Sequence, residues 1–269
     1  MKFRCFYNNT IKNPLKVDEI VFLHGTQKLS ELAAFKQQYP AVKVWVMYKT
    51  EEITKVDDIF DEAADLKAGL AGIMLESWEY ITKELIENIH KLGFEVSCYT
   101  PVSSFEGIKY ALDCAIDDFG ITAPVAFEMD YVNRLIKEER EGQHVWICPD
   151  IAQTQYKWEH TNKSFYVLPQ DLEQYEYFGI DTAFIMQNSE KTNVIVDIYK
   201  QGNWEPILAP LILNYTEEDA EGILIPPHFG NRRTTCRQAC MKGTSHCSTC
   251  ELLLARPNIM SEEEKTIEK

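Results

Sequence analysis

Four cysteines in a short run near the end of the chain have the spacing of a metal-binding site. Cys236, Cys240, Cys247 and Cys250 form the pattern C-x3-C-x6-C-x2-C, and His246 lies beside the third. Thiolates in such sets bind zinc or hold an iron–sulfur cluster. The run TTCRQACMKGTSHCSTC is polar throughout, which argues against a role in core packing. We therefore predict either a four-iron–four-sulfur (4Fe-4S) cluster or Zn²⁺ at one site, where His246 could replace one thiolate.

The cysteine run is also the basic part of an acidic chain. The net charge of the whole sequence is −15, yet the segment 226–257 holds five basic residues and one acidic residue, a local charge of +4. The cations could offset the charge of the thiolates. Alternatively, Arg232, Arg233 and Arg237 could bind RNA or a small anionic cosubstrate, because arginine pairs with phosphate and carboxylate in a bidentate way. The acidic remainder argues against broad binding to nucleic acid and could meet a protein partner.

The sequence predicts a cytoplasmic protein that does not enter the membrane. The chain has 269 residues and no apolar run of the length that spans a bilayer, and its first residues, MKFRCFYNNTIKNP, lack the apolar stretch of a signal peptide. The other four cysteines are scattered among apolar neighbours, as buried thiols are. In a reducing compartment, clustered cysteines bind metal more often than they form disulfides.

Short apolar runs alternate with helical periods, a pattern typical of an α/β protein. Eight buried strands with intervening helices predict a (β/α)8, TIM-like barrel, closed or distorted, and an open doubly wound sheet is the alternative. The run KFRCFYN at the start is either a ninth strand or the true first strand. The eight predicted strands cover 19–25, 42–48, 71–77, 94–100, 124–130, 144–150, 164–170 and 181–187.

Helices are predicted where apolar residues recur at helical spacing, over 30–38, 78–92 and 105–119. Gly93, Gly120, Gly142 and Gly179 each stand where a helix should end and a strand begin. The barrel is assigned to residues 1–222, a Cys-rich metal- or cluster-binding appendage to 223–260, and a charged tail to 261–269.

Polar residues follow most of the predicted strands, and in such barrels the carboxyl ends of the strands form the active site. Ser77 and Asp171 precede helices and are predicted to be N-caps. Glu128, His24 and Asp150 are the predicted catalytic acid–base groups. The remaining strand-end residues are Tyr48, Lys49, Glu76, Tyr99, Thr100, Asp130, Cys148, Gln170, Gln187 and Asn188.

The stretch 165–208 resembles the collagenase-like peptidase family. The resemblance is carried by Cys148-Pro149 upstream and by Pro169, Asp171, Leu172, Tyr175, Gly179, Ile180, Asp181 and Tyr199. It implies an iron–sulfur barrel protein that takes part in the oxygen-independent hydroxylation of an RNA base or the ubiquinone ring. A second, more distant likeness is to tRNA-guanine transglycosylases, barrels with a late zinc site, although their C-x-C-x2-C spacing is absent here.

Residues and resemblance together lead to one hypothesis and two alternatives. The hypothesis is a metal- or iron–sulfur-dependent, hydroxylase-like barrel enzyme that modifies a nucleobase of RNA or DNA or a small ring substrate. The first alternative is a zinc barrel similar to the transglycosylases. The second is a non-catalytic binding protein in which a structural zinc ion fastens the appendage to the barrel.

Overall fold

The computed structural model describes residues 1–8, 16–49, 70, 72–122, 142–151, 167, 169, 172–177, 179–203 and 206–213. Within these ranges, eight parallel strands pair in chain order and form a closed barrel, and β8 pairs with β1. The predicted (β/α)8 barrel is therefore confirmed. The strands are β1 Lys2–Phe6, β2 Glu19–Leu23, β3 Lys43–Tyr48, β4 Gly72–Leu75, β5 Glu95–Val102, β6 Asp118–Ile121, β7 His144–Ile147 and β8 Thr182–Ile185.

Helices pack outside the strands. They are α1 Leu29–Gln38, α2 Lys83–Lys91, α3 Phe105–Asp113, α4 Leu172–Tyr177 and α5 Thr192–Gln201, with 3-10 turns at Trp78–Tyr80 and Pro206–Leu211. The predicted helix over 78–92 is divided because Thr82 is an N-cap, whose hydroxyl accepts a hydrogen bond from the backbone N–H of Leu85 at 3.2 Å. Ser77 is an N-cap as predicted and accepts from the N–H of Glu79 at 3.1 Å.

β6, Asp118–Ile121, was not predicted as a strand from the sequence. The predicted helix over 105–119 ends at Asp113, because Ala115 takes a left-handed conformation with φ of 56° and turns the chain into β6. Gly120 therefore lies within a strand and does not end a helix. A Cβ atom on Gly120 would lie 2.3 Å from the ring of Trp146 on β7, so glycine is needed for this close approach.

Two of the predicted strands, 124–130 and 164–170, have no place in the barrel order. β6 is Asp118–Ile121, so the predicted strand 124–130 is not one of the eight, and that segment lies outside the described residues. β7 pairs directly with β8, which leaves no position between them for the predicted strand 164–170. The run at the start of the chain is the true first strand, since β1 pairs with both β2 and β8.

A repeated aspartate braces the amino ends of the strands. Asp18, Asp117 and Asp181 each stand just before an even-numbered strand. Each aspartate carboxylate accepts a hydrogen bond from the backbone N–H of one residue on the preceding odd-numbered strand, at 2.8, 2.7 and 3.1 Å. These residues are Phe3, Val96 and Val145, in that order. The N–H of each aspartate donates back to the carbonyl of the same residue. Each Asp carbonyl accepts an N–H from the next strand around the barrel. The brace thus ties three consecutive strands together, and it occurs three times.

Buried apolar residues form two layers, as strand alternation requires. The larger cluster lies between the strands and the helices, and it includes Ile86 and Ile89 of α2 and Ile195 and Val196 of α5. The smaller cluster fills the inside of the barrel. No helix in the described ranges is long and apolar enough to cross a membrane.

Candidate active site

The inside of the barrel is polar near the amino ends of the strands and apolar above. The lower part holds the buried polar residues Arg4, Glu19, Ser97 and Asp118. The upper part is aromatic, aliphatic and sulfur-rich, because side chains of alternating strand residues meet there. This upper cluster consists of Phe6, Val21, Trp45, Met74, Trp146, Cys148, Phe184 and Met186, with Leu23, Met47, Tyr99, Ile151 and Leu213 packed against it.

Arg4 is the centre of the polar part. Its guanidinium donates to Glu19 at 2.5 and 2.8 Å and to Asp118 at 2.7 and 3.1 Å. Asp118 also accepts from Ser97 at 2.5 Å, and Glu19 accepts from the indole of Trp45 at 2.9 Å. The guanidinium lies 4.8 Å from the centre of the Trp45 ring.

Arg4 and Glu19 stabilise each other's charged forms in this network. Burial alone would lower the pKa of Arg4, but the carboxylates of Asp118 and Glu19 outweigh burial and raise it. Burial alone would raise the pKa of Glu19, but Arg4 and the Trp45 hydrogen bond lower it. Arg4 is 1% exposed and lies toward the amino ends of the strands, the end of such barrels that serves stability. We assign the network to holding the barrel closed.

Asp150 is the buried carboxyl at the opposite end of the barrel. It follows β7 and is 0% exposed. Its two oxygens accept the backbone N–H groups of Met186 at 3.0 Å and Gln187 at 2.7 Å, just after β8. Burial raises the pKa of Asp150 to about 6, although these backbone hydrogen bonds oppose the increase. A carboxyl that titrates near neutral pH at this end of a barrel is a candidate acid–base group.

Asp150 acts electrostatically on its neighbours. Burial and then the charge of Asp150 raise the pKa of the Cys148 thiol well above its usual value. Burial and the same carboxylate raise the pKa of Cys5 to about 12. Both thiols are therefore neutral at pH 7, and neither is a thiolate nucleophile or a thiolate ligand in this environment.

Tyr99 lies half-buried at the upper edge of the interior cluster. Its ring meets Phe6 and Phe184 edge-on, with centroids 5.7 and 6.2 Å apart. Burial raises the pKa of its phenol, and the carboxylates of Asp150 and Glu76 raise it further. The phenol therefore stays protonated, and it lies within electrostatic range of two strand-end carboxylates. Sequence reasoning placed Tyr99 among the strand-end residues and did not assign it a role.

His24 is at the end of β2, where it was predicted, and its ring packs on Tyr48 with centroids 4.4 Å apart. Its backbone N–H donates to the carbonyl of Met47 at 2.9 Å. Within the described residues no hydrogen bond joins His24 to Asp150, whose two oxygens accept from the backbone after β8. Nearby, Asn8 donates to Asn188 at 3.0 Å and links the ends of β1 and β8.

The other predicted site residues lie outside the described residues. They are Glu128, Arg232, Arg233, Arg237, Cys236, Cys240, Cys247 and Cys250. Within the part of the chain that is described, no group of three or more His, Cys, Asp or Glu side chains is arranged to hold a metal ion.

The chain returns to the carboxyl end of the barrel after the last helix. Leu213 pairs in parallel with Ile151, and its N–H donates to the carbonyl of Asp150 at 2.8 Å. Its side chain packs against the interior cluster. Leu213, the last residue that the structure describes, therefore lies beside Asp150, which no pattern in the sequence indicates.

Solved structures share the barrel fold. A mutant tryptophan synthase alpha-subunit from Pyrococcus furiosus is 11% identical with a TM-score of 0.50, and the match covers 75% of this chain and 95% of that chain. Another structure of the subunit from the same organism is 11% identical with a TM-score of 0.50 and covers 74% and 96%. At this identity the likeness shows the fold alone. No protein-family model matches the chain, and no curated protein matches its sequence.

Proposed function

We propose that the chain is an enzyme whose active site lies at the carboxyl end of the barrel and uses Asp150 as its acid–base group. The observation that carries this proposal is the Asp150 carboxyl, fully buried at that end with its pKa raised to about 6. A group that titrates close to neutral pH can both accept and release a proton during turnover. The two hydrogen bonds that the Asp150 carboxyl accepts from backbone N–H groups hold it in one orientation.

The cofactor of this proposal is a metal ion or an iron–sulfur cluster held by Cys236, Cys240, Cys247 and Cys250. Four thiols within a short run are a suitable donor set for either. When bound, a cluster supplies electron transfer and zinc supplies Lewis acidity. Leu213 lies at the carboxyl end of the barrel, and the 23 residues from there to Cys236 span at most roughly 80 Å when fully extended, so the chain is long enough for the cysteines to reach the active site.

The proposed substrate is a nucleobase of RNA or DNA or a small ring, and the proposed reaction is hydroxylase-like. The half-buried ring of Tyr99, which packs on the buried rings of Phe6 and Phe184, gives this end of the barrel an aromatic surface that suits a flat ring. Arg232, Arg233 and Arg237 would bind an RNA phosphate or an anionic cosubstrate, and that cosubstrate would donate the hydroxyl group and be reduced by two electrons as the ring is oxidised. The resemblance to the collagenase-like peptidase family supports the same reaction class.

The first experiment identifies the cofactor. The full chain is purified without oxygen, and its visible spectrum and metal content are measured. We expect brown protein that contains iron and sulfide, and Cys247→Ser is expected to lower the iron content while the far-ultraviolet circular dichroism stays the same. Colourless protein with about one zinc per chain would instead favour a structural zinc site and contradict the hydroxylase-like reaction.

The second experiment tests the reaction. Total RNA from cells that express the wild-type chain is digested and compared by mass spectrometry with RNA from cells without it. We expect a nucleoside heavier by one oxygen atom that depends on both Asp150 and Cys247. Asp150→Asn and Cys247→Ser should each abolish it, whereas Glu87→Gln on the exposed face of α2 is the control and should not. RNA that is the same with and without the chain would contradict the proposal for RNA.

A further inference from the structure

We propose that Tyr99 is a specificity residue that donates a hydrogen bond from its phenol to the bound substrate. This inference rests on the proposed function, since it takes the carboxyl end of the barrel to be the binding site. The hydroxyl of Tyr99 makes no hydrogen bond with the described residues, although Asp150, Glu76 and Cys148 lie close enough to affect its pKa.

The ring of Tyr99 is held in place while its hydroxyl is left available. Phe6 and Phe184 contact the ring at 61° and 71°, and these edge-on contacts fix it from below. The Phe184 ring in turn packs edge-on against Trp146, with centroids 5.3 Å apart, so the support is a continuous series of aromatic contacts inside the barrel. A hydroxyl on a fixed ring makes a directional hydrogen bond with little loss of conformational freedom.

The strand that carries Tyr99 also favours this role. β5 has eight residues and extends to Val102, whereas β4 and β6 have four each. Tyr99 is half-buried, unlike Ser97, which points to the same interior and is 0% exposed. The phenol is therefore at the boundary between the packed core and the substrate side.

The charges around Tyr99 define what it can bind. Asp150 and Glu76 raise the pKa of the phenol, so it remains a donor throughout the neutral range. The same carboxylates repel an anion at this position. The group that fits is a neutral ring atom that accepts a hydrogen bond, a carbonyl oxygen or an unprotonated ring nitrogen.

The test compares ligands with and without such an acceptor. Uridine and cytidine carry acceptors, and toluene is the apolar ring without one. Binding to the full chain is followed by nuclear magnetic resonance on isotope-labelled tyrosine rings, with the Tyr99 signal assigned from Tyr99→Phe. We expect uridine or cytidine to shift that signal and Tyr99→Phe to weaken their binding roughly twofold to tenfold, with toluene binding unchanged.

Two controls separate a binding role from a structural one. Tyr99→Phe keeps the ring contacts and should leave the unfolding midpoint unchanged. Tyr110→Phe removes a phenol that donates to the carbonyl of Ile81 at 2.7 Å on the outside of the barrel, and it should not affect binding. Equal affinity of wild type and Tyr99→Phe for both nucleosides, or no binding of either nucleoside to the wild type, would overturn the inference.

The experiments distinguish a failure of the Tyr99 inference from a failure of the proposed function. If wild-type cells show the oxygenated nucleoside and Tyr99→Phe cells show it at the same level, the proposed function stands and the role of Tyr99 is refuted. If wild-type cells lack it, the proposed function fails for RNA, and the nucleoside titration alone decides whether Tyr99 is a donor.

Discussion

Asp150 should make the protein less stable as the pH rises through the mildly acidic range. Burial raises its pKa from the ordinary 3.8 to about 6 in the folded chain. Below about pH 4 the carboxyl is protonated in both the folded and unfolded states, so burial has no electrostatic cost. Above about pH 6 it is ionised in both, and the folded state bears the full cost of burying the charge.

The magnitude follows from the two pKa values. The difference between 3.8 and about 6, at about 1.4 kcal/mol per pH unit, corresponds to about 3 kcal/mol of unfolding free energy. This stability is present at about pH 4 and is lost by about pH 7. In Asp150→Asn the group cannot ionise, so this contribution to the pH dependence should disappear.

The assay is urea unfolding of the full chain at several pH values for wild type and Asp150→Asn. The difference between the two free energies removes the contributions of all other titrating groups. We expect that difference to change by about 3 kcal/mol between about pH 4 and pH 7, in favour of the variant at the higher pH. Glu87→Gln, which removes one negative charge at an exposed position, should show no such trend. A difference that is constant with pH would refute the raised pKa and weaken Asp150 as an acid–base group.

Three further changes test the packing that holds the site in place. Arg4→Met leaves two buried carboxylates without their cation and should lower the free energy of unfolding by about 3–5 kcal/mol in urea titrations; a loss near zero would contradict the closed network. Gly120→Ala should lower it by about 1–3 kcal/mol through overlap with Trp146, and the loss caused by Gly120→Ala should be smaller when it is measured in a Trp146→Leu background; an equal loss in both backgrounds would point to another cause. Asp117→Ala removes the acceptor of the Val96 N–H and should lower the free energy of unfolding by about 1–3 kcal/mol. The Val96 amide should then exchange faster in hydrogen-exchange mass spectrometry. Unchanged exchange would show that the brace does not form.

Strand alternation and helical spacing predicted the fold class but not every strand. The first two residues of β6, Asp118 and Phe119, fall within the predicted helix 105–119, because Phe119 continues the helical spacing of α3. What ends that helix is the left-handed Ala115, and alanine gives no sign of this in the sequence. Gly120 was interpreted as a helix end, but glycine is needed there because Trp146 on the next strand leaves no room for a side chain. That contact depends on the register of the two strands, which the sequence does not reveal.

The proposed site could be predicted only in part, for a related reason. Asp150, its proposed acid–base group, stands out in the sequence because a carboxylate after a buried strand is a recognisable pattern. The role of Tyr99 depends on its neighbours from three other strands, and these come together only when the barrel closes. The Arg4 network was missed altogether, because Arg4 and Asp118 are 114 residues apart and each looks ordinary in its own strand.

The three aspartate braces also bear on the order in which the barrel assembles. Their side-chain hydrogen bonds span 15, 21 and 36 residues, whereas the pairing of β1 with β8 joins the two ends of the described barrel. Contacts close in sequence cost less chain entropy and form sooner. Each braced pair of strands is therefore a short-range folding unit, and barrel closure, together with the alignment of Tyr99 over Phe6 and Phe184, comes last. Weakening the β1–β8 seam should thus disturb the substrate end of the barrel before it disturbs the braced pairs.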